Sequence, residues 1–238
     1  MDRTDWLRTV FSTVFSAAML CSISGAADAE NGTASAAPVE TVGVDLSKWQ
    51  GAVDFTQIKA VGKTYVFVKL SQGADGFDPN YQRNIADARA TGLYVGSYHF
   101  YTTDHTAQSQ FDNLAKHLDL KAGDLPLVVD IEVLSKNSIP DLASELKTFL
   151  DLIENKYGIK PIIYSGENFA NEYLKGFADY PLWLAEYTGA PAPKLPLDWN
   201  AWAFWQHSQS GSVPGVNGAV DLDRFNGSAE QLEALLVR

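Results

Sequence analysis

The sequence predicts an α/β fold, an irregular (β/α) barrel of about eight strands in which the last connections lack helices. From residue 42 to residue 187, short apolar runs alternate with segments of helical period. This alternation is typical of parallel strands joined by right-handed crossovers, in a barrel or in an open doubly wound sheet. Beyond residue 187 the loops at 188–200 and 208–219 are rich in Pro or Gly and have no helical period, although strand-like runs follow both. We therefore expect a distorted barrel.

Eight runs rich in apolar, aromatic or β-branched residues are predicted as strands. They are residues 42–45, 65–70, 93–100, 125–132, 160–164, 181–187, 203–206 and 220–222. The last two strands are joined without helices, so we expect them to be antiparallel or irregularly connected.

Helices are predicted between these strands from capping residues and from the spacing of apolar side chains. Their predicted starts or spans are Asp54, Asp78 with Pro79, residues 106–118, Ser138, residues 168–177 and residues 228–236. Gly92 and Gly158 are predicted to end the second and the fourth of these helices.

The run Leu125-Pro-Leu-Val-Val-Asp-Ile-Glu132 is continuously apolar until it ends in two carboxylates. Parallel strands that are covered on both faces show such unbroken apolar runs. Residues two apart on a strand point to the same side, so Asp130 and Glu132 are predicted to share one face.

The chain is predicted to contain one domain of residues 42–238 behind two short N-terminal segments. Residues 1–29 have the order of a secretory signal peptide: Arg3 and Arg8, an apolar stretch, then small residues. Residues 30–41 read as a flexible leader. The only cysteine, Cys21, falls in the first segment, so the predicted mature protein has no disulfide. We expect it to be secreted or periplasmic.

The net charge of −11 disfavours nucleic acid and anionic lipid as partners. A neutral polymer rich in hydroxyl and amide groups would not be repelled, and a 12% content of aromatic residues offers surfaces on which sugars stack. We expect a monomer that does not contact the membrane after signal cleavage.

In a parallel barrel the C-terminal ends of the strands meet at one rim, where active sites lie. Here the predicted strand ends carry Asp45, Lys69, Tyr98 with His99, Asp130 with Glu132, Tyr164, Glu186 with Tyr187, Gln206 and Asp221, with Phe100 and Trp183 nearby. Of these, the residues predicted to bind substrate are Lys69, Tyr98, Phe100, Tyr164, Trp183, Tyr187 and Gln206. Carboxylates among aromatic side chains are the components of a groove that binds and cleaves a glycan, since glycoside hydrolysis needs a carboxylic acid to protonate the leaving oxygen.

Glu132 is the predicted general acid, because neighbouring carboxylates favour its protonated form. Asp130 is predicted to carry charge. It could act as a nucleophile, activate a water molecule, or orient a substrate acetamido group that attacks the anomeric carbon. The spacing of residues in the sequence leaves these three roles open.

Eight blocks of the chain resemble, in order, those of family 25 glycoside hydrolases. They are Val44-Asp-Leu-Ser-Lys-Trp-Gln-Gly51, Phe67-Val-Lys-Leu-Ser71, Gly96-Ser-Tyr-His-Phe100, Val129-Asp-Ile-Glu132, Ile163-Tyr-Ser165, Leu182-Trp-Leu-Ala185, Phe204-Trp-Gln206 and Val220-Asp-Leu-Asp223. The resemblance covers residues 42–225, essentially the whole predicted domain.

The resemblance implies a lysozyme-type N-acetylmuramidase that cleaves the β-1,4 bond from N-acetylmuramic acid to N-acetylglucosamine in peptidoglycan, with retention. It implies Glu132 as acid/base, and Asp45, Asp130 and Asp221 as the rest of an acidic cluster. The chain departs from the family in one block, where Gln72 stands before Gly73 in place of the common Glu.

Other classes of protein are disfavoured by what the sequence lacks. The four histidines form no tight metal-ligand pattern, and the Gly-x-Ser-x-Gly motif of many serine hydrolases and a phosphate-binding Gly loop are both absent. We therefore expect neither a cofactor nor a metal ion. The alternative from a different class is a catalytically silent glycan-binding module of the same fold, and loss of Asp130 or Glu132 would be its signature.

Overall fold

The computed structural model describes residues 40–238. The predicted signal peptide and nearly all of the predicted leader lie outside the described residues.

The described chain is built from nine strands, six α-helices and one short 3-10 helix at Lys48–Gln50. The strands are β1 (Val42–Leu46), β2 (Tyr65–Gln72), β3 (Gly76–Phe77), β4 (Tyr94–Phe100), β5 (Val128–Asp130), β6 (Ile162–Gly166), β7 (Leu182–Ala185), β8 (Phe204–Gly211) and β9 (Val220–Phe225). The helices are α1 (Phe55–Ala60), α2 (Tyr81–Ala90), α3 (Ala107–His117), α4 (Leu142–Tyr157), α5 (Glu167–Tyr173) and α6 (Ala229–Glu233).

Eight of these strands close into a barrel in the order β1-β2-β4-β5-β6-β7-β8-β9, because β1 pairs with both β2 and β9. The short β3 pairs only with β2, as a hairpin outside the ring. Neighbours are parallel from β1 round to β8, whereas β9 runs antiparallel to β8 and to β1. The predicted irregular barrel is confirmed.

The connections before and after β8 explain why this strand is parallel to β7 but antiparallel to β9. The long loop between β7 and β8 contains no helix, yet it spans enough residues to bring β8 back parallel to β7. The loop between β8 and β9 is too short for a parallel crossover, so β9 turns back antiparallel.

Side chains alternate along each strand between the barrel interior and the surrounding helices. On β2, Tyr65 and Phe67 enter the interior cluster, while Val66 and Val68 pack in the outer layer. The interior cluster also contains Tyr98, Val128, Ile162, Tyr164, Trp183, Phe204 and Phe225.

Two glycines make room for the large interior rings. A Cβ on Gly43 would lie 2.2 Å from the Tyr65 ring, and one on Gly96 would lie 2.3 Å from the Phe67 ring. At the opposite end from the predicted site, Leu232 of α6 joins the interior cluster and closes the barrel floor. The aromatic packing therefore fixes the strands that carry the rim.

Several predicted boundaries differ from the structure, among them those of β5, α4 and α5. Strand β5 has three residues and begins after Pro126, which cannot donate a ladder hydrogen bond, and Glu132 lies beyond its C-terminal end. Helix α4 is capped by Asp141, whose carboxylate accepts the Ser144 N–H at 3.1 Å, and Ser138 does not cap it. Helix α5 ends at Tyr173, earlier than predicted.

Candidate active site

The inward-facing residues at the C-terminal ends of the parallel strands form one layer, called here the rim. In the strand register Asp45 lies opposite Asp221, Phe100 opposite Asp130, and Asp130 opposite Tyr164. The antiparallel β9 contributes Asp221 because its N-terminal end lies at this side of the barrel. The fold therefore places Asp45, Asp130 and Asp221 in one layer although they are far apart in sequence.

A chain of hydrogen bonds crosses the rim through Gln206. The Gln206 Nε2 donates to Asp45 Oδ2 at 2.5 Å. On its other side, Gln206 Oε1 accepts from the hydroxyls of Tyr164 at 2.8 Å and Tyr187 at 2.6 Å. Gln206 and Asp45 are buried, whereas Tyr187 keeps 47% of its surface exposed. This chain connects an exposed aromatic ring to a buried carboxylate.

A β-bulge brings Lys69 and Gln72 to the same side of β2. The pairing of β2 with β4 shifts between Lys69 and Ser71, so that Lys69 lies opposite Tyr98 and Gln72 lies opposite Phe100. The Lys69 Nζ donates to Gln72 Oε1 at 2.9 Å and lies 4.9 Å from the centre of the Phe100 ring. The bulge thus brings Gln72 to the side of β2 on which the Lys69 ammonium group lies.

The backbone around Asp130 is fixed on both sides. The Tyr101 N–H donates to the Asp130 carbonyl at 2.7 Å, and the Ile131 N–H donates to the Tyr164 carbonyl at 3.0 Å. The Asp130 side chain is buried, while Glu132, just past the last anchored residue, is half-buried. The two carboxylates therefore differ in their access to solvent.

The loop that follows Glu132 is attached to the loop between β4 and α3. The Ser135 N–H donates to Thr103 Oγ1 at 2.7 Å, the Ile139 N–H donates to the Thr103 carbonyl at 2.6 Å, and the Ser138 hydroxyl lies 2.6 Å from Thr103 Oγ1. These bonds hold Glu132 near Asp130 without any secondary structure of its own.

Most of the residues predicted to bind substrate are buried, including Gln206, Tyr164, Trp183 and Tyr98, whereas Tyr187 is exposed. Trp183 is 2% exposed, stacks on Phe67 with ring centroids 4.5 Å apart, and donates from Nε1 to Asp223 Oδ1 at 3.0 Å. Tyr98 is also buried in the interior cluster. Trp183 lies opposite Tyr164 in the strand register, so its ring packs beside this rim residue. Asp223 was not singled out from the sequence, although its spacing of two from Asp221 on a strand was a signal that could have found it.

A second polar network lies behind the rim, between β2, β4 and α3. His99 Nδ1 is 2.8 Å from Ser71 Oγ, and His99 Nε2 is 3.4 Å from Gln110 Oε1. Complete burial lowers the pKa of His99 to about 3, and the nearby Lys69 charge acts in the same direction. His99 is therefore neutral wherever the protein is folded at ordinary pH.

Within residues 40–238 no group of three or more His, Cys, Asp and Glu side chains is placed to hold a metal ion. The same part of the chain contains no helix with the length and hydropathy of a membrane span.

A barrel whose rim combines carboxylates with an exposed tyrosine belongs, by fold and site, to the class of carbohydrate-cleaving barrel enzymes. The model of glycosyl hydrolases family 25 matches residues 44–216. The chain belongs to this family and is a glycoside hydrolase.

Named relatives agree with this assignment. The uncharacterized Escherichia coli (strain K12) protein YegX is 36% identical over 200 residues, which cover 82% of this chain and 72% of YegX. Lysozyme M1 of Streptomyces globisporus is 30% identical over 81% of this chain and 70% of its own length. Among solved structures, the lysozyme of Streptomyces coelicolor superposes with a TM-score of 0.78 at 28% identity, covering 83% of this chain and 97% of that one.

Proposed function

We propose that this protein is a lysozyme-type N-acetylmuramidase that cleaves the β-1,4 bond between N-acetylmuramic acid and N-acetylglucosamine in peptidoglycan. The main support is the rim itself, where Asp45, Asp130 and Asp221 share one layer and Glu132 follows directly. The matched relatives named lysozymes support peptidoglycan as the polymer.

In this proposal Glu132 is the acid/base. It donates its proton to the glycosidic oxygen as the bond from the anomeric carbon to that oxygen breaks, and later it takes a proton from the water that completes hydrolysis. Its half-buried position beyond β5 favours this role, because an acid/base must reach both the leaving sugar and a water molecule.

Asp130 is proposed to orient the substrate acetamido group, whose oxygen attacks the anomeric carbon and gives retention of configuration. The burial of Asp130, 2% exposed, favours a role in orienting over direct attack. Asp45 and Asp221 provide negative charge opposite the oxocarbenium-like carbon. Lys69, Phe100, Tyr164, Tyr187 and Gln206 are proposed to contact or arrange the sugar, with the exposed face of Tyr187 as a stacking surface.

The direct test compares wild type with Glu132→Gln on purified peptidoglycan, by turbidity and by counting new reducing ends. We expect wild type to release reducing ends on muramic acid residues and the variant to lose about 100-fold or more in rate. Glu186→Gln is the matched control. Glu186 also follows a barrel strand, but its carboxylate accepts the Lys194 N–H, and we expect this variant to keep its activity.

Two results would refute the proposal. Binding of peptidoglycan by wild type without new reducing ends would identify a silent glycan-binding module. Reducing ends on glucosamine residues would identify a glucosaminidase.

Secretion is part of the proposal, since peptidoglycan lies outside the cytoplasm. It is supported by the pattern of residues 1–29. N-terminal sequencing of the protein recovered from the periplasm or the medium would test it, and a chain that keeps residues 1–29 would contradict it.

A further inference from the structure

We propose that Gln206 is a positioning residue that keeps Asp45 ionised and fixed in orientation, and that the Tyr164 and Tyr187 hydroxyls act by fixing the Gln206 amide. This inference rests on the proposed function. In this inference Gln206 acts through Asp45 and not through a direct contact with the substrate.

The first step concerns the direction of the Gln206 amide. Its oxygen accepts two phenolic O–H groups, at 2.8 Å from Tyr164 and 2.6 Å from Tyr187, so its NH₂ group must point the other way. The group in that direction is Asp45 Oδ2, at 2.5 Å. If the amide were rotated, its oxygen would face the carboxylate oxygen, and two acceptors would oppose each other.

The second step concerns the charge of Asp45. An amide N–H donor stabilises the ionised form of a carboxylate, and an amide does not titrate in the working range of an enzyme. Asp45 lies opposite Asp221 across the β1–β9 pair, and two facing carboxylates disfavour double ionisation. The donor from Gln206 therefore favours the ionised form of Asp45 despite the neighbouring Asp221 carboxyl group.

Other titratable and charged groups share the inward layers of the barrel with Asp45. They are Tyr65 and Lys69 on β2, Tyr98 on β4, Asp130 and Glu132 at the end of β5, Tyr164 on β6, and Asp221 and Asp223 on β9. Gln206 gives Asp45 a hydrogen-bond donor whose direction is fixed by the two bonds that Gln206 accepts from Tyr164 and Tyr187.

The third step concerns Tyr187, which connects Asp45 to the groove. Its ring is 47% exposed, while its hydroxyl bonds to Gln206. The ring face can stack on a sugar while the hydroxyl holds the amide, so removing the hydroxyl alone separates substrate binding from the positioning of Asp45.

The test is the pH–rate profile of Gln206→Glu, which replaces the amide by a carboxyl group of the same shape. When the new carboxyl group is protonated it can still donate to Asp45. We expect activity within about threefold of wild type on the acid side, where the carboxyl pair shares one proton. Above the upper apparent pKa of that pair the donor is lost, and the rate should fall about tenfold per pH unit, relative to wild type.

Gln206→Leu, which has no donor at any pH, should lose activity across the whole pH range. Gln72→Glu makes the same chemical change beside the Lys69 ammonium group, and it should show no such loss on the alkaline side. A Gln206→Glu profile parallel to that of wild type, or a Gln206→Leu variant with the wild-type kcat, would overturn the inference.

A second measurement does not depend on activity. In Gln206→Glu the folded pair holds a proton more tightly than the unfolded chain does, so stability relative to wild type should fall as pH rises through the upper apparent pKa of the pair. Gln72→Glu should show no such decrease, because its new carboxylate adjoins Lys69. Denaturant unfolding of both variants gives this result even if the wild-type protein cleaves no peptidoglycan, so failure of the proposed function and failure of this inference are distinguishable.

Tyr187→Phe is a milder variant that keeps the exposed ring. We expect kcat to fall about three- to tenfold with KM within about twofold of wild type, since the loss of one hydrogen bond to Gln206 loosens the amide. A raised KM with unchanged kcat would mean that the hydroxyl contacts the substrate, and that result would overturn the inference.

Discussion

Replacing His99 should remove a large part of the pH dependence of stability. The His99 ring is fully buried, next to Ser71 Oγ at 2.8 Å and the Phe149 ring at a centroid distance of 5.2 Å. Burial lowers its pKa from 6.5 to about 3 in the folded protein, whereas the unfolded chain keeps the ordinary value. Below about pH 6.5 the unfolded chain therefore takes up a proton that the folded protein does not.

The sign and size of the effect follow from this difference in proton binding. Stability conferred by neutral His99 is complete above the unfolded pKa and is lost as pH falls from 6.5 towards 3. Between about pH 7.5 and about pH 5, linkage gives a loss of about 2 kcal/mol from this one residue.

The assay is urea unfolding of wild type and His99→Asn at these two pH values. The smaller side chain lowers the free energy of unfolding at both pH values. Between about pH 7.5 and about pH 5, however, the variant should lose about 2 kcal/mol less of this free energy than wild type, because contributions from other groups cancel in the comparison. His117→Asn is the control, since His117 stacks on Phe77 near the surface and its pKa is lowered without deep burial. Equal pH dependence of wild type and His99→Asn would refute the reasoning.

Two further substitutions test how the barrel interior and the rim are held. Gln72→Glu adds a negative charge beside Lys69, so the acid limb of the pH–rate profile should move up by about 0.3 pH unit, as initial turbidity rates at constant ionic strength would show; an unchanged or lowered limb would contradict this. Trp183→Phe removes the N–H that donates to buried Asp223, and the free energy of unfolding in urea should fall by about 2 to 3 kcal/mol. Trp205→Phe removes a hydrogen bond to the neutral backbone carbonyl of Glu186, and the loss of that bond should lower the free energy of unfolding by about 1 kcal/mol. The larger loss is expected for Trp183→Phe because its bond goes to a carboxylate, so equal losses in the two variants would contradict this reasoning.

Much of the fold could be predicted because the barrel depends on patterns that are local in sequence. The apolar runs, the Asp54 cap and the Gly158 helix end lie where the residue types indicated them. The Ser138 prediction was wrong for a tertiary reason: its hydroxyl contacts Thr103 and donates to the Ser135 carbonyl, so it is used in attaching the loop after Glu132. No pattern near Ser138 in sequence indicates a partner 35 residues away.

The placement of rim residues could be predicted only in part. Asp45, Asp130 and Tyr164 follow from strand ends and a period of two, because parallel strands bring their ends together. The depth of a side chain is not visible in the sequence, so the sequence could not show that Phe67 covers the ring of Trp183.

The bulge in β2 could not be predicted either, since the residues at the shift, Lys69 to Ser71, include neither Gly nor Pro. Without it, Lys69 and Gln72 would point to opposite faces, because they are three residues apart on one strand. The network of Ser71, His99 and Gln110 lies directly behind the shift, on the side away from the barrel interior. The buried histidine thus stabilises the local backbone geometry that brings Gln72 to the side of β2 on which Lys69 lies.

The two rim amides, Gln72 and Gln206, indicate how charge is arranged in this barrel. Each bonds to a charged residue at one edge of the acidic layer: Gln72 accepts from Lys69, and Gln206 donates to Asp45. An amide fixes the position of its charged partner without adding a charge of its own, so the ionisation of the layer depends on the carboxylates and on Lys69. Converting these two amides to carboxyl groups should therefore change opposite ends of the pH–rate profile. Gln72→Glu should change the acid limb, and Gln206→Glu should change the alkaline limb.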